Sequence, residues 1–423
     1  MFRDIERKII ASQSKKDIEY WPLLKHEICI RKSRQGGGTD FQYKSPLNVR
    51  LFIALLLSLL NLLIACITPH KTAFFGASSR AIIKNNKITD EFLSENQLSS
   101  CILLYHCSNY EKICLKTVFK KKVIFENLIM KLYTGVKGLF INKRSISHNY
   151  LSVSTLNLVK QEYGLDDVDL DIIFFNFECK IHFYTLLLRM IKINKLYLIS
   201  SYTKTALVSS ANNLKISTLE YQHGVVAPYH PSYYYTGKNV WDSTLLPTAL
   251  CLSSSFWLTF MKNANFVSKL SVNESTLVKY DGKIKLDDFC RSLRDKGDYV
   301  IFTGQGISYD DVFDFIREFL NVNPELNFIY RPHPREHLNY RRYTENILSS
   351  NFFVVDRDSY QDTKQLILGA KAHISIFSSC HFEAIELLNK TYVLDILDDN
   401  VMAAGKGDAN IIFFKKAHEL SIN

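Results

Sequence analysis

Short β-prone runs alternate with helix-length segments through the last third of the chain. The runs are rich in Val, Ile, Phe and Tyr and are bounded by turn-forming residues. Strands are expected at 299–302, 327–330, 352–355, 373–377 and 392–394, and helices at 310–320, 361–368 and 383–388. Alternation of this kind is typical of βαβ units with a parallel sheet. The pattern therefore predicts a doubly wound α/β domain.

The middle of the chain shows the same alternation less regularly. Strands are expected at 72–76, 196–199 and 216–221, and helical segments at 187–193 and 205–214. At 423 residues the chain exceeds the size at which one hydrophobic core stops growing, so two domains are expected. The fold class predicted is α/β, with two Rossmann-like domains facing a central cleft. Their expected ranges are 69–285 and 295–423, with the polar stretch 281–298 as the linker and a helix at the C-terminus.

Residues 1–68 are expected to form a basic extension followed by an apolar helix. Residues 1–50 hold eleven Lys and Arg against six Asp and Glu. This surplus of five positive charges is half of the formal net charge of +10. Residues 1–47 lack sustained periodicity and are expected to contain at most one short helix. A basic surface suits anionic partners such as phosphorylated substrates or lipid headgroups. No stacking or recognition motif for nucleic acid accompanies the charge, so nucleic acid is not an expected partner.

The apolar segment 51–67 is close to the minimum length of a membrane span. On a helix, its small and polar residues fall on one face: Arg50, Ala54, Ser58, Asn61 and Ala65. That stripe favours a helix that lies in a membrane interface or packs on protein over one that crosses the bilayer. The expected location is the cytoplasm, with the protein peripheral on the inner face of the cell membrane.

Common cofactor and metal motifs are absent from the sequence. The nine cysteines are scattered without a C-x-x-C pair, which indicates neither a disulfide framework nor a zinc site. Neither G-x-x-x-x-G-K-[ST] nor G-x-G-x-x-G occurs. The sequence therefore predicts no resident cofactor and no metal.

Three polar loops follow the expected strands at 299–302, 327–330 and 373–377. Because the carboxyl ends of parallel strands share one edge of a sheet, these loops are expected to converge there. They are Thr303-Gly304-Gln305-Gly306, Arg331-Pro332-His333-Pro334-Arg335 and Ser378-Ser379-Cys380. Glycines permit close backbone approach, and hydroxyls, a helix N-terminus and arginines can hold a phosphate. The group predicts a diphosphate or phosphodiester site, with Glu383 accepting hydrogen bonds from a ribose; Ser378 or Ser379 as an ordinary helix cap is the structural alternative.

His223 lies in a second loop of interest, after the strand expected at 216–221. An imidazole exchanges a proton near neutral pH, so His223 is a candidate base that deprotonates an acceptor hydroxyl. Gln222, Tyr233 and Tyr234 in the same region are candidate acceptor-binding residues. The structural alternative is a histidine hydrogen-bonded within a loop rich in Pro and Tyr.

Together these motifs resemble bacterial surface-polysaccharide transferases of the GT-B fold, which include Kdo transferases, sialyl- and polysialyltransferases, and CDP-glycerol glycerophosphotransferases. The resemblance rests on Gln222-His223-Gly224, the 331–335 loop, and Ser378-Ser379 with Glu383. It implies an acceptor domain at 69–285 and a nucleotide-donor domain at 295–423. It further implies that His333, Pro334 and the two serines contact the donor phosphate, and that His223 is the base or binds substrate. The acid pair with glycine found in some sialyltransferases is reduced here to Asp281-Gly282.

The favoured function is metal-independent transfer of a sugar from a nucleotide-activated donor, CMP-linked or CDP/UDP-linked, by direct displacement. The expected acceptor is a lipid-linked or growing surface polysaccharide, in a capsule or a lipopolysaccharide O-antigen, at the cytoplasmic membrane surface. Transfer of glycerophosphate or another phosphoalditol is the first alternative, since the same histidine and phosphate site serve it. A non-catalytic glycan-binding protein of the same fold is the second.

Overall fold

The computed structural model of the protein describes most of the chain. Left outside the described residues are 1, 36–48, 69, 78–81, 85–86, 90–99, 107–122, 138, 141–144, 223–231, 238–240, 242, 253–256, 258–270, 273–285, 334–335, 337–338, 357–358, 361, 398–401, 403–404, 421 and 423. The chain forms two compact units. Unit 1 contains the described residues within Met1–Gln222, His230–Cys251 and Ala264–Asn273, and unit 2 those within Leu252–Asn263 and Glu274–Asn423.

Unit 1 is built around a parallel sheet of seven strands, in the order β5-β4-β1-β6-β7-β8-β9. Its helices are α1 (Arg3–Ser12), α2 (Lys15–Gln35), α3 (Val49–Ile67), α4 (Glu126–Lys137), α5 (Val153–Tyr163), α6 (Asp167–Ile191) and α7 (Thr205–Asn213). Its strands are β1 (Thr72–Ala77), the hairpin β2 (Ile82–Lys84) and β3 (Lys87–Thr89), β4 (Ile102–His106), β5 (Val123–Phe125), β6 (Lys195–Ile199), β7 (Ser217–Tyr221), β8 (Ala249–Cys251) and β9 (Ser271–Val272). Strand order grows outward on both sides of β1, as in a doubly wound fold.

Helix α3 covers the free edge of this sheet. The Ser58 hydroxyl accepts from the Phe125 N–H at 3.0 Å, and the Asn61 amide donates to the Val123 carbonyl at 2.8 Å. Both backbone groups belong to β5, the outermost strand, whose edge would otherwise expose unpaired donors and acceptors. The predicted stripe is confirmed from Ala54 to Ala65, because Ala54, Ser58, Asn61 and Ala65 are all buried; Arg50 is exposed.

The N-terminal segment contains two helices, where the sequence predicted at most one short helix in a basic extension. Helices α1 and α2 are joined to each other by a buried ion pair, with Lys25 Nζ 2.6 Å from Glu6 Oε1. Glu6 also accepts from the indole N–H of Trp21 at 3.1 Å and from the N–H of Thr236 at 2.8 Å. The charged residues that suggested a solvated extension are thus partly internal, because each buried charge finds an opposite charge or a donor.

Unit 2 is a second doubly wound α/β unit with a parallel sheet of six strands, in the order β12-β11-β10-β13-β14-β15. Its helices are α8 (Asp288–Asp295), α9 (Tyr309–Val322), α10 (Arg341–Thr344), α11 (Thr363–Gly369) and α12 (Cys380–Leu388). Its strands are β10 (Tyr299–Thr303), β11 (Asn327–Arg331), β12 (Phe352–Val354), β13 (Ala372–Ser375), β14 (Thr391–Leu394) and β15 (Ile411–Phe414). The prediction of two doubly wound α/β domains is confirmed.

Two details of the expected domain organisation differ from the structure. The stretch 281–298 was expected to be a linker, but its residues Asp288–Asp295 form α8, which packs Cys290 into the core of unit 2. The prediction of a C-terminal helix is wrong, since the described residues near the C-terminus form no α-helix. Ile411–Phe414 instead extends the sheet as its outermost strand, and a 3₁₀ turn at Ala417–Glu419 follows. Residues 1–68 lie within unit 1 rather than outside the domains.

We predict that Lys25→Met lowers the free energy of unfolding by about 3 kcal/mol, since it leaves the buried Glu6 carboxylate without its cation. Lys16→Met, at an exposed position of the same helix α2, is the matched control and is expected to change the free energy by less than about 0.5 kcal/mol. Urea denaturation of the full chain measures both. Equal values for the two variants would show that the ion pair does not anchor the N-terminal helices.

Candidate functional site

Three loops of unit 2 follow the carboxyl ends of adjacent strands. The strands β11, β10 and β13 are neighbours in the sheet and run parallel, so the loops after Arg331, Thr303 and Ser375 emerge at one edge. Strand β10 comes first in the unit, and its neighbours β11 and β13 lie on opposite sides of it. The edge beside β10 and β13 is therefore a topological switch point, the place where open α/β sheets bind ligands.

The loop after β10 lies close to its neighbours. The N–H of Gly304 donates to the carbonyl of Arg331 at 2.8 Å, and a Cβ at Gly304 would overlap the carboxylate of Glu336 and the phenol oxygen of Tyr330. Gly306 has a φ of +74°, which favours glycine. Thr303 is buried, while Gln305 is partly exposed. The loop thus presents backbone at the sheet edge.

Glu336 joins the loop after β10 to the loop after β11. Its carboxylate accepts from the His333 N–H at 2.6 Å, from the Tyr330 hydroxyl at 2.8 Å and from the Tyr309 hydroxyl at 3.2 Å, and it also interacts with the backbone N–H of Gly306. Burial raises the pKa of Glu336, and these donors oppose that shift. Glu336 was not among the predicted site residues, because in the sequence an acid in a polar loop resembles any exposed carboxylate.

Arg331 is nearly buried at the end of β11. Its guanidinium donates to the carbonyls of Val355 at 2.9 Å and Tyr360 at 2.6 Å, and to the Thr363 hydroxyl at 3.3 Å. These bonds fasten the segment between β12 and α11 below the sheet edge. Arg331 therefore supports a neighbouring loop, and its expected contact with the donor stays a prediction.

The rest of the 331–335 loop is described only in part. His333 is partly exposed, and its backbone N–H is held by Glu336. Pro334 and Arg335, also expected to bind the donor, lie outside the described residues. His333 is therefore the member of this loop that the structure describes at the surface of the edge.

Helix α12 begins directly after the loop that follows β13. Ser378 is buried and its hydroxyl accepts from the Cys380 N–H at 3.2 Å, whereas Ser379 at the N-cap is partly exposed and makes no side-chain capping bond. The first N–H groups of a helix and its dipole favour an anion at this end. Glu383, one turn later, lies 3.8 Å from Lys364 Nζ. Ser379 is therefore the serine whose hydroxyl is not used to cap the helix.

Two buried histidines support this loop from below. His373 Nε2 lies 2.9 Å from the Thr303 hydroxyl and its Nδ1 lies 2.8 Å from the Thr391 hydroxyl, which is also 2.7 Å from His381 Nδ1. Burial lowers the pKa of His373 well below its usual range and that of His381 to about 3, so both rings are neutral at pH 7. The network ties β10, β13, β14 and α12 together. The polar His373 and Ser375 within an apolar run were the sequence signal for it.

The candidate acceptor residues lie in unit 1 at the carboxyl end of β7. Gln222 is buried, and its N–H donates to the Cys251 carbonyl at 2.8 Å. The hydroxyl of Tyr233 donates to the buried Glu220 at 2.7 Å, and the Tyr234 carbonyl accepts from Lys25. His223, the candidate base, lies outside the described residues.

Glu220 organises this part of unit 1. Its carboxylate accepts from the N–H of Ser201 at 2.9 Å and from the Ser201 hydroxyl at 2.6 Å, and burial raises its pKa. Ser201, Glu220 and Tyr233 line a small pocket together with Tyr202 and Thr205. Tyr233 therefore contributes to this small pocket as a partner of Glu220.

Within the part of the chain that the structure describes, no three His, Cys, Asp or Glu side chains are grouped so that they could hold a metal ion. His373 and His381 form a buried pair whose ring centroids lie 4.9 Å apart. Both rings already share the Thr391 hydroxyl.

The chain matches no protein-family model, and no curated protein is similar enough to be matched to it. Among solved structures it is similar to UDP-GlcNAc 2-epimerase from Neisseria meningitidis bound to UDP-GlcNAc, with 12% identity, 82% of this chain and 87% of that chain covered, and a TM-score of 0.43. It is also similar to MurG from Acinetobacter baumannii, with 11% identity, 83% of this chain and 87% of that chain covered, and a TM-score of 0.41. A third similar structure is the glycosyltransferase SnogD from Streptomyces nogalater, with 9% identity, 82% of this chain and 87% of that chain covered, and a TM-score of 0.41. At such low identity, these similarities identify neither the reaction nor the substrate.

We predict that Glu336 makes stability depend on pH in a defined direction. Because the folded pKa is raised above the ordinary 4.5, the stabilisation is fully present below pH 4.5 and is lost as the pH rises through the folded pKa. Between pH 7 and pH 4 the wild type should gain stability relative to Glu336→Gln, approaching about 1.4 kcal/mol for each unit of raised pKa. Urea denaturation of both proteins across this range measures the difference. A difference that stays constant or changes in the opposite direction would contradict the assignment.

Proposed function

We propose that the protein is a glycosyltransferase that moves a sugar from a nucleotide-activated donor to a glycan acceptor. The observation that carries the proposal is the convergence of Gly304, His333 and Ser379 at the topological switch point of unit 2. The absence of a side chain at Gly304 permits close approach of a phosphate, the His333 imidazole can donate to it, and Ser379 adds a hydroxyl at a helix N-terminus. The phosphate of a nucleotide is a ligand that can use all three.

The donor phosphates are proposed to lie against the N-terminus of α12. The helix has nine residues, and Ser379 at its start has a hydroxyl that is not committed to capping. The loop of Gly304 and Gly306 brings backbone to the same edge, held in place by Glu336. As the bond between the sugar and the phosphate breaks, negative charge grows on the leaving nucleotide. Donors fixed in advance stabilise that charge without having to reorganise.

His223 is proposed to be the general base. It would take the proton of the acceptor hydroxyl, whose oxygen attacks the anomeric carbon while the bond from that carbon to the phosphate oxygen breaks. The electron pair of the broken bond leaves with the nucleotide, and the proton remains on the imidazole until solvent removes it. Support comes from the position of His223 one residue after Gln222, at the carboxyl end of β7.

The acceptor is proposed to be a lipid-linked or growing surface polysaccharide, of a capsule or an O-antigen. Two features support this proposal. The Gln-His-Gly and Arg-Pro-His-Pro-Arg motifs resemble those of surface-polysaccharide transferases, and Glu220 and Tyr233 line a small pocket at the β7 end. Gln222 and Tyr234 are proposed to complete the acceptor site. Tyr233 would act by supporting Glu220, since its hydroxyl is already donated.

We predict that one of UDP, GDP, CMP and CDP raises the melting temperature of the wild-type protein, since a ligand that binds only the folded state stabilises it. Ser379→Ala should weaken that nucleotide about 10- to 100-fold, the effect of losing a hydrogen bond to a charged group. Ser292→Ala, at an exposed position of the same unit, is the matched control and should bind normally. Equal affinity of all three proteins would remove Ser379 from the site. No shift with any nucleotide would favour a non-catalytic glycan-binding protein.

A second prediction separates chemistry from binding. His223→Ala should leave the dissociation constant of the stabilising nucleotide unchanged and lower the transfer rate about 100- to 10,000-fold, the usual contribution of a general base. His182→Ala on α6, where the imidazole is half exposed and pairs with Glu178, is the matched control and should retain full activity. Turnover can be followed as nucleotide released from the matching activated sugar, or from CDP-glycerol if that is the donor used. Retained turnover in His223→Ala would contradict the role of base.

A further inference from the structure

Helix α3 has two faces of opposite character. Large apolar side chains are exposed along one side, with Phe52 at 58%, Leu63 at 61% and Ile67 at 82% of their full exposure. The complete exposed row follows helical spacing and consists of Val49, Phe52, Ile53, Leu56, Leu60, Leu63 and Ile67. An apolar row of this length on the surface of a soluble domain indicates a binding face.

The other side of α3 is committed to the fold. Ser58 and Asn61 hydrogen-bond to the backbone of β5 and close the edge of the sheet, and Ala54 and Ala65 are buried beside them. The helix is long and apolar enough to cross a bilayer by length and composition. To do so it would have to leave β5, which would unpair the Phe125 N–H and the Val123 carbonyl and carry Ser58 and Asn61 into hydrocarbon. This geometry favours a helix that lies along a surface.

Helix α4 lies beside α3 and also exposes apolar side chains. It follows β5 directly and packs against α3. Leu132 and Val136 are exposed on one side of α4, and Leu139 and Phe140 continue beyond its end at 81% and 77% exposure. The two helices together therefore present more apolar surface than either one alone.

The exposed charges of these two helices have one sign. Within 49–67 and the described residues of 126–140, the charged side chains are Arg50, Lys131, Lys137 and Glu126, and Glu126 is fully buried. Arg50 and Lys131 are exposed, and Lys137 is partly exposed. Positive charge beside an apolar row is complementary to a bilayer surface with anionic headgroups, where cations stay at the headgroup level and apolar side chains enter the acyl boundary.

We propose that the exposed face of α3 and α4 docks the protein onto the surface of an anionic lipid bilayer, with α3 lying in the plane of the interface. The inference does not depend on the transferase reaction, since it uses none of the residues of the candidate donor site. It gives the α3 row a function that folding does not require. In the docked protein the polar side of α3 remains bonded to β5, so unit 1 stays folded.

The test is flotation of the purified full chain with vesicles of phosphatidylcholine alone or mixed with phosphatidylglycerol. The wild type is expected to float with the mixed vesicles, more weakly with the neutral ones, and less at high salt. Leu56→Ser with Leu63→Ser removes two exposed side chains from the row and should weaken partitioning about tenfold for each substitution. Leu348→Ser, at a leucine that is 98% exposed in unit 2, is the matched control and should float like the wild type. Circular dichroism and thermal unfolding of each variant confirm that the fold is kept.

Several outcomes would overturn the inference. Wild type that stays with the soluble fraction in both vesicle types would remove the bilayer as the partner, as would flotation unchanged by the two substitutions. Protein from cells that resists extraction with alkaline carbonate would show that α3 crosses the membrane. A dimer in solution that dissociates in the Leu56 and Leu63 double variant would show that a second copy of the chain covers the face.

Discussion

Parallel pairing of the strands is the constraint from which the candidate site follows. In unit 2 all six strands run in one direction, so every strand delivers its following loop to the same edge. The order of the strands then decides which loops meet, and it places the loops after β11, β10 and β13 side by side. The positions of Gly304, His333 and Ser379 are thus consequences of topology before any side chain is considered.

Buried polar groups convert that topology into fixed geometry. Glu336 collects the N–H of His333 and two tyrosine hydroxyls, while His373 and His381 share the hydroxyl of Thr391 beneath the start of α12. Such groups are costly to bury unless they are paired, and once paired they hold their loops in one arrangement. Unit 1 also contains paired buried polar groups, namely Glu220 with Ser201 and the ion pair of Glu6 with Lys25. Rigid supports of this kind allow exposed groups above them to be arranged in advance for a ligand.

Much of the fold was readable from the sequence because apolar runs of strand length stand out between turn residues. The runs that became β10, β11 and β13 are of this kind, as is the buried stripe of α3. The N-terminal helices were missed because the charges of Glu6 and Lys25 hid the helical spacing of the apolar residues around them. Glu336 could not be recognised, since its burial depends on Tyr309 and Tyr330 from two other elements. Arg331 was expected at the ligand, but the carbonyls that engage it lie in a segment about 25 residues later in the chain.

The most direct test of the central claim is a crystal structure of the protein with the nucleoside diphosphate that stabilises it most. We predict phosphate oxygens within about 3 Å of the Ser379 hydroxyl and of backbone N–H groups in the loop of Gly304 or at the start of α12. Phosphates bound at any other edge of either sheet, with the switch point of unit 2 empty, would contradict it.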